Sequence, residues 1–295
     1  MPGPGPNFPP IALVGFGEAA EAFLSGWPLD EKRAVRAFDI KTLAPQSRAL
    51  MLERYRTATV TGAETLPEAL AGAGLVFSLV TADQALAAAK AAAPALAAGT
   101  LWLDGNSCAP ETKRQAATLI EAQGGRYVDM AVMAPVHPAR HHTPLLIAGP
   151  HAEAALELLA SLDMRATFGG RRIGDASSVK MIRSVMIKGI EALTAECLLA
   201  ARRAGVEQAV LASLQASDPG TDWAKRGAYN LERMMVHGAR RAAEMREVAV
   251  TVDNLGLPSR MAAATALWQD EIAALGLAGG KGDLADRVDR ILARL

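Results

Sequence analysis

The chain has 295 residues, 51% of them apolar and 4% aromatic, and its 31 Lys plus Arg balance 31 Asp plus Glu to a formal net charge of zero. A balanced charge excludes the basic footprint that a nucleic-acid partner requires, and the length suits two domains of ordinary size. With so few aromatics, the core is expected to rest on Ala, Leu, Val, Ile and Met.

Met1-Pro-Gly-Pro-Gly-Pro reads as a flexible leader, since no apolar run follows a basic start as in a secretory signal. Four apolar residues, Ile11 to Val14, then predict a buried strand. Gly15-Phe16-Gly17-Glu18-Ala19-Ala20 follows and fits G-x-G-x-x-G/A at the opening of a helix over 18–25. In that pattern the first glycine makes the tight turn, the second lets backbone approach a pyrophosphate, and a small third residue lets helix pack on strand. Residues 34–39 predict a second strand ending in Asp39, twenty-two positions after Gly17. An acid there can accept hydrogen bonds from ribose hydroxyls and repels a 2′-phosphate, which favours NAD with NADP as the alternative. Lys41 and Arg48 could moderate that repulsion.

Strands near 58–61, 75–80, 100–104, 126–131 and 144–148 alternate with helices at 66–71, from Asp83, and at 110–123. This predicts an α/β fold, a doubly wound and mostly parallel Rossmann sheet with ligand at the strands' carboxyl ends. Val80, Thr81, Asp83, Asn106, Ser107 and the loop after Met133 are expected on that side. The Ala-rich segment 86–98, broken by Lys90 and Pro94, is too short to span a bilayer. Cys108 and Cys197 lack framework spacing, so free thiols and a cytoplasmic location are expected. The loop 135–144 carries His137, Arg140, His141 and His142. With Pro138 and Pro144 against a helix, and no Cys or carboxylate in the cluster, no metal is expected; the loop is read as solvated or as lending Arg140 or a histidine to an anionic substrate.

A long helix is predicted over 177–204, between Gly174-Asp175 and Gly205. Ile182, Val185, Met186, Ile190, Leu193 and Cys197 share one broad side, while Lys180, Ser184, Lys188 and Glu191 fall within an arc of about 80° on another. Either Lys188 and Glu191 form an ion pair on a solvated edge, or Lys180 sits in a cleft between domains. In a cleft beside a positive nicotinamide, the lysine pKa is expected to fall, fitting it to exchange a hydroxyl proton as hydride is transferred. Helical patterns continue over 206–216, 229–254 and 258–275 without competing strand alternation, so the remainder is all-α. His237, Arg241 and Glu244 share a helix face on which Arg241 could bind a substrate anion, oriented by His237 or Glu244, or form part of a salt-bridged surface. The domains are set at 1–172 and 173–295.

These motifs together resemble the β-hydroxyacid dehydrogenase superfamily, which includes 6-phosphogluconate and 3-hydroxyisobutyrate dehydrogenases, and within it a phosphogluconate dehydrogenase-like branch with a distinctive C-terminal helical domain. Gly15, Gly17 and Ala20 match the dinucleotide turn. Asp104-Gly105-Asn106-Ser107 with Pro110 resembles the Asp-x-Ser-Thr…Pro segment beside nicotinamide and substrate. Asp129-Met130-Ala131-Val132 resembles the opening of the substrate motif, and Gly174 and Lys180 keep the spacing of the catalytic-lysine motif. The resemblance implies a NAD(P)-dependent oxidoreductase acting on a small, anionic hydroxy acid. It implies Lys180 as general acid/base, Asn106 and Ser107 as positioning groups, and a homodimer built by the C-terminal helices.

Departures from the pattern touch the substrate. Met133-Ala134-Pro135 stands where Ser-Gly-Gly would cradle a carboxylate, Ser184 replaces an asparagine, and Ala176 replaces a glycine. They point away from an ordinary 3-hydroxy acid or 6-phosphogluconate. Two alternatives stand beside this reading: an imine or bulky-ketone reductase, against which Lys180 argues, and a nucleotide-binding protein without turnover.

Overall fold

The computed structural model describes residues 8–28, 35–280 and 282–295. The Pro/Gly leader and Ala34, the first residue of the expected second strand, lie outside them. The chain divides into two compact units, one reaching to Met181 and the other Ile182–Leu295.

The first unit is built on one eight-stranded sheet of β1 (Ile11–Val14), β2 (Val35–Phe38), β3 (Thr61–Gly62), β4 (Leu75–Ser78), β5 (Leu101–Asp104), β6 (Arg126–Val132), β7 (Leu145–Ala148) and β8 (Ala166–Gly170). Its order is β3-β2-β1-β4-β5-β6-β7-β8, parallel throughout except where β6 meets β7. Among the described residues six α-helices connect the strands: α1 (Glu18–Leu24), α2 (Pro45–Thr57), α3 (Leu66–Leu70), α4 (Ala85–Ala92), α5 (Pro110–Glu121) and α6 (Ala152–Ser161).

Strand side chains alternate between two faces, and each face needs its own cover. Ile11, Leu13, Leu75, Phe77, Leu101 and Leu103 point into one core with Phe23 of α1, Tyr55 of α2 and Leu159 of α6. Ala12, Val14, Val76 and Trp102 point into the other with Leu70 of α3, Ala89 of α4 and Ile120 of α5. The largest fully buried side chains include Trp102, Tyr55, Tyr127, Phe16, Phe23 and Phe77. Most of the aromatics thus lie in the core, among a larger number of Ala, Leu, Val, Ile and Met side chains, as the composition predicts.

Three differences from the sequence reading have local causes. The strand expected at 58–61 shrinks to Thr61–Gly62 because Thr59 takes a left-handed φ of +58° and turns the chain. Helix α6 and strand β8 extend the set expected to close at Ala148. β8 reads ATFGG, with an exposed Phe168 and two glycines, so it carries no buried alternation to announce it.

Helix α7 (Asp175–Arg203) contains the division between units. The second unit comprises the rest of α7 with α8 (Glu207–Ser217), α9 (Trp223–Asn254), α10 (Arg260–Ala274) and α11 (Leu284–Leu292). Leu198, Leu231, Met234, Ile272, Val288 and Ile291 form its core. Close approach of α9 to α10 relies on Gly238, where an added Cβ would lie 2.5 Å from the Gln269 carbonyl oxygen. No helix among the described residues is long and apolar enough to cross a membrane.

The polar stripe of α7 in the second unit is not the solvated edge offered by one of the two sequence readings. Ser184, Lys188 and Glu191 are buried, whereas Ile182, Met186 and Leu193 are exposed. The charges can be buried because α9 supplies their partners. Lys188 Nζ lies 2.9 Å from Glu244 Oε2 and donates to Ser184 Oγ at 3.2 Å, and Arg241 pairs with Glu191. Lys188 and Glu191 are therefore not each other's partners, and Glu191 rather than Glu244 orients Arg241.

Candidate active site

The site begins where β1 ends. Gly15 has φ +88°, and a Cβ there would lie 2.5 Å from the Leu79 carbonyl oxygen, so only glycine makes this turn between β1 and the end of β4. Gly17 has open space on its Cβ side and caps α1 without a side-chain hydrogen bond, which leaves room and N–H groups for an anion. Ala20 is buried and Glu18 is exposed, with Ala19 between them in exposure. The Phe16 ring is buried edge-on against Tyr55, and its backbone N–H donates to Asp39 Oδ2 at 2.8 Å. The Phe16 backbone thus fixes the Asp39 carboxylate.

Asp39 is held from three directions. Oδ1 accepts the Lys41 N–H at 2.9 Å, Oδ2 accepts that of Phe16, and its own N–H donates to the Tyr55 hydroxyl at 2.8 Å. Each carboxylate oxygen keeps a lone pair for a further donor. Tyr55 was not singled out in the sequence. Burial, the largest influence, raises its pKa, and the hydroxyl stays a neutral link between Asp39 and Thr42.

At the ends of β4 and β5, Asn106 is buried. Its Oδ1 accepts the Val80 N–H at 2.7 Å and its Nδ2 donates to Ser78 Oγ at 3.0 Å. Both ends of the amide are engaged inside the protein, so Asn106 sets the course of the Val80-Thr81 segment. Ser107 is half-buried, and its Oγ receives the Lys180 Nζ at 2.5 Å. These two groups are 73 positions apart in the chain, and the fold brings them together.

Lys180 is placed by the start of α7. Asp129, at the middle of β6, accepts at one oxygen the N–H groups of Gly174 (3.1 Å) and Ser177 (3.0 Å) and the Ser177 hydroxyl (3.0 Å). It therefore caps the helix from outside its own sequence. Gly174, with φ +103°, passes so close to α5 that a Cβ would lie 3.2 Å from that of Pro110. A fully buried Lys113 lies between the two aspartates, 2.9 Å from Asp104 Oδ1 and 3.6 Å from Asp129 Oδ1. Burial works against its charge, but Asp104, Cys108 and Asp129 outweigh it and raise the Lys113 pKa above its ordinary value. Tyr127 donates to Asp104 Oδ2 at 2.7 Å, and burial, with Asp104's charge, holds its pKa well above ordinary. Lys113 was missed in the sequence, although it falls in phase with Ala116, Ala117 and Ile120 on the buried side of α5.

Residues 11–168, more than half of the chain, match the family model of the NAD binding domain of 6-phosphogluconate dehydrogenase. The chain belongs to that family. Residues 201–272 match a second model, the domain of unknown function DUF1932. Among solved structures, a conserved hypothetical protein from Sinorhizobium meliloti 1021 is 37% identical, with 98% of each chain covered and a TM-score of 0.74. A conserved protein of unknown function, described as structurally similar to 3-hydroxyacid dehydrogenases, is 31% identical over 91% of this chain and 99% of its own, at a TM-score of 0.66. Mycobacterium tuberculosis 3-hydroxyisobutyrate dehydrogenase shares the fold at 17% identity, covering 96% of this chain and 98% of its own, with a TM-score of 0.70. No curated protein matches the chain. A nicotinamide cofactor and oxidoreductase chemistry follow from family membership.

In this 6-phosphogluconate dehydrogenase-like chain the loop after β6 departs from a carboxylate cradle. The Met133 N–H donates to the Pro144 carbonyl at 2.9 Å, and Pro135 has no N–H, so Ala134 is the remaining backbone donor of the three. The histidine loop also differs from expectation, because a carboxylate does join it. Asp163, from the turn after α6, lies 3.0 Å from His142 Nε2 and 3.8 Å from His141 Nε2. His141 is buried with its ring over Gly26, where a Cβ would sit 1.7 Å from Nδ1, so it does not reach outward to a substrate. His137 and Arg140 are exposed. In the second unit Ser184 and Arg241 take the places described above, and His237 on α9 is half-buried.

Proposed function

We propose that the chain is an NAD-preferring dehydrogenase or reductase acting on the carbinol or carbonyl carbon of a small anionic hydroxy acid, with Lys180 as general acid/base. The observation that carries this reading is the 2.5 Å contact of Lys180 Nζ with Ser107 Oγ at the carboxyl end of β5. Gly15 to Ala20 and Asp39 are the groups that would hold the dinucleotide. When bound, the nicotinamide supplies a two-electron hydride acceptor or donor.

In the oxidation direction the Lys180 amine takes the proton of the substrate hydroxyl as the carbinol C–H bond breaks and C–O becomes C=O. In reduction its ammonium returns that proton to the carbonyl oxygen. Ser107 holds Nζ in place between the two events and can pass a hydrogen bond to the substrate oxygen. The two lone pairs left on Asp39 suit ribose hydroxyls, and its charge disfavours a 2′-phosphate. The exposed apolar residues of α7, among them Ile182, Met186 and Leu193, support a homodimer formed through the helical unit.

A panel of hydroxy acids assayed with NAD and with NADP tests the assignment, read together with Lys180→Met. Turnover of that variant is expected to fall by roughly 10²–10⁴-fold, the contribution of a general acid/base, while NADH binding persists. A Lys180→Met enzyme as fast as the native one would end the proposal.

A further inference from the structure

We propose that Lys113, which touches neither substrate nor cofactor in the reading above, is the positioning residue that holds Ser107 and Lys180 against each other; this rests on Lys180 being the acid/base. From its buried ammonium two chains of contacts lead outward. One runs through Asp104, whose Oδ1 also accepts the Asn106 N–H at 3.0 Å, to Asn106 and so to Ser107. The other runs through Asp129 to the N–H groups of Gly174 and Ser177, and so to Lys180 three residues further along α7. The two chains meet again at the Lys180–Ser107 contact, and the circuit closes.

The circuit depends on the cation. Asp104 and Asp129 are both fully buried, and two carboxylates in one dry pocket repel each other unless a cation lies between them. A displacement of Asp129 would weaken the acceptor that caps α7 with three hydrogen bonds. A displacement of Asp104 would break its hydrogen bond from the Tyr127 hydroxyl or from the Asn106 N–H. Either change loosens one side of the reacting pair while the sheet stays intact. Asp129 Oδ1 has no hydrogen-bond donor among the described residues, so the ammonium at 3.6 Å is the group that compensates it.

The test uses the full-length enzyme carrying Lys113→Met and Lys113→Arg, with steady-state kinetics and amide hydrogen exchange over residues 172–180. Lys113→Met is expected to lower kcat by roughly a hundredfold, as a misplacement near 1 Å does, with the KM for NADH unchanged. The Gly174 and Ser177 amides are expected to exchange faster. Lys113→Arg, which keeps the charge, is expected to recover part of kcat. Native kcat together with native exchange in folded Lys113→Met overturns the proposal, and so does a loss confined to cofactor KM. Should Lys113→Met fail to fold, Lys113→Met combined with Asp104→Asn, which removes one charge of each sign, is read by the same two criteria. If the native enzyme turns over no hydroxy acid, the hydroxy-acid reading fails, and the exchange measurement alone then decides the role of Lys113.

Discussion

In the first unit Lys113 shares one ammonium between Asp104 and Asp129, whereas in the second unit two buried acids each have a base of their own across the interface of α7 and α9, Glu191 with Arg241 and Glu244 with Lys188. The first arrangement ends on backbone N–H groups at a strand end and a helix start. It therefore orients chain segments that carry site residues. The second ends on side chains of α7, α9 and α10, with Gln269 donating to Glu191 at 2.9 Å. It therefore fixes which turns of three helices face each other. Buried charge does two kinds of work here, and the kind follows from whether the second contact of each acid is main chain or side chain.

The largest effect expected in the second unit comes from splitting its best-buried pair. Glu191→Gln leaves the Arg241 guanidinium buried without a countercharge, and unfolding stability should fall by about 3–5 kcal/mol. Replacing both residues by methionine should recover most of that loss, because no charge is then left alone. Urea denaturation of the single and double variants measures both. A single variant as stable as the native protein would mean that the pair contributes no alignment of α7 with α9.

In the first unit the matching disruption is smaller in stability and acts on ligand binding. Gly15→Ala forces a side chain into φ +88° and against the Leu79 carbonyl oxygen. A left-handed residue costs about 1–2 kcal/mol before any clash is relieved. Relief must move the β1 turn, so NADH affinity should fall more steeply than stability. Calorimetric titration beside a thermal melt separates the two, and an intact affinity would remove the Gly15 turn from the dinucleotide site.

The same contrast explains what could be read from the sequence. The strands β1, β4 and β5 are short apolar runs bounded by turn residues, and Gly15, Gly17 and Asp39 follow from the spacing of one βαβ unit. The pairing of Lys180 with Ser107 was approached only as a resemblance, because nothing local in either segment specifies the other. Lys113 was legible in principle, as a lysine in phase with Ala116 and Ile120, but an isolated lysine on a helix reads as solvated until a sheet supplies two aspartates. Helix α7 was ambiguous for a different reason. Periodicity separates its apolar row, with Ile182, Met186 and Leu193, from its polar row without saying which is buried, and partners on α9 make the polar row the one that can be. Asp163 escaped notice because a turn more than twenty positions downstream brings it to His142.

His141 provides the smallest and sharpest test, since it is a buried titratable group of the first unit placed unlike either charge cluster. Burial lowers its pKa below the ordinary 6.5, the neighbouring His142 adds to that, and Asp163 opposes it. The folded state thus takes up the proton less readily than the unfolded chain. Stability from the neutral imidazole is present in full above the unfolded value near 6.5 and is lost as pH falls through the lower folded value. The native protein should melt at a lower temperature at pH 5.5 than at pH 7.5, and His141→Gln, which cannot titrate, should flatten that difference. Asp163 does not contribute in this window: its own pKa is lowered chiefly by the hydrogen bond from His142, so its share is lost only in more acid solution, below its ordinary 3.8. An unaltered pH dependence in His141→Gln would shift the acid sensitivity to His151, whose pKa is likewise lowered by burial and then by Arg126, and the double variant with His151→Gln would separate the two.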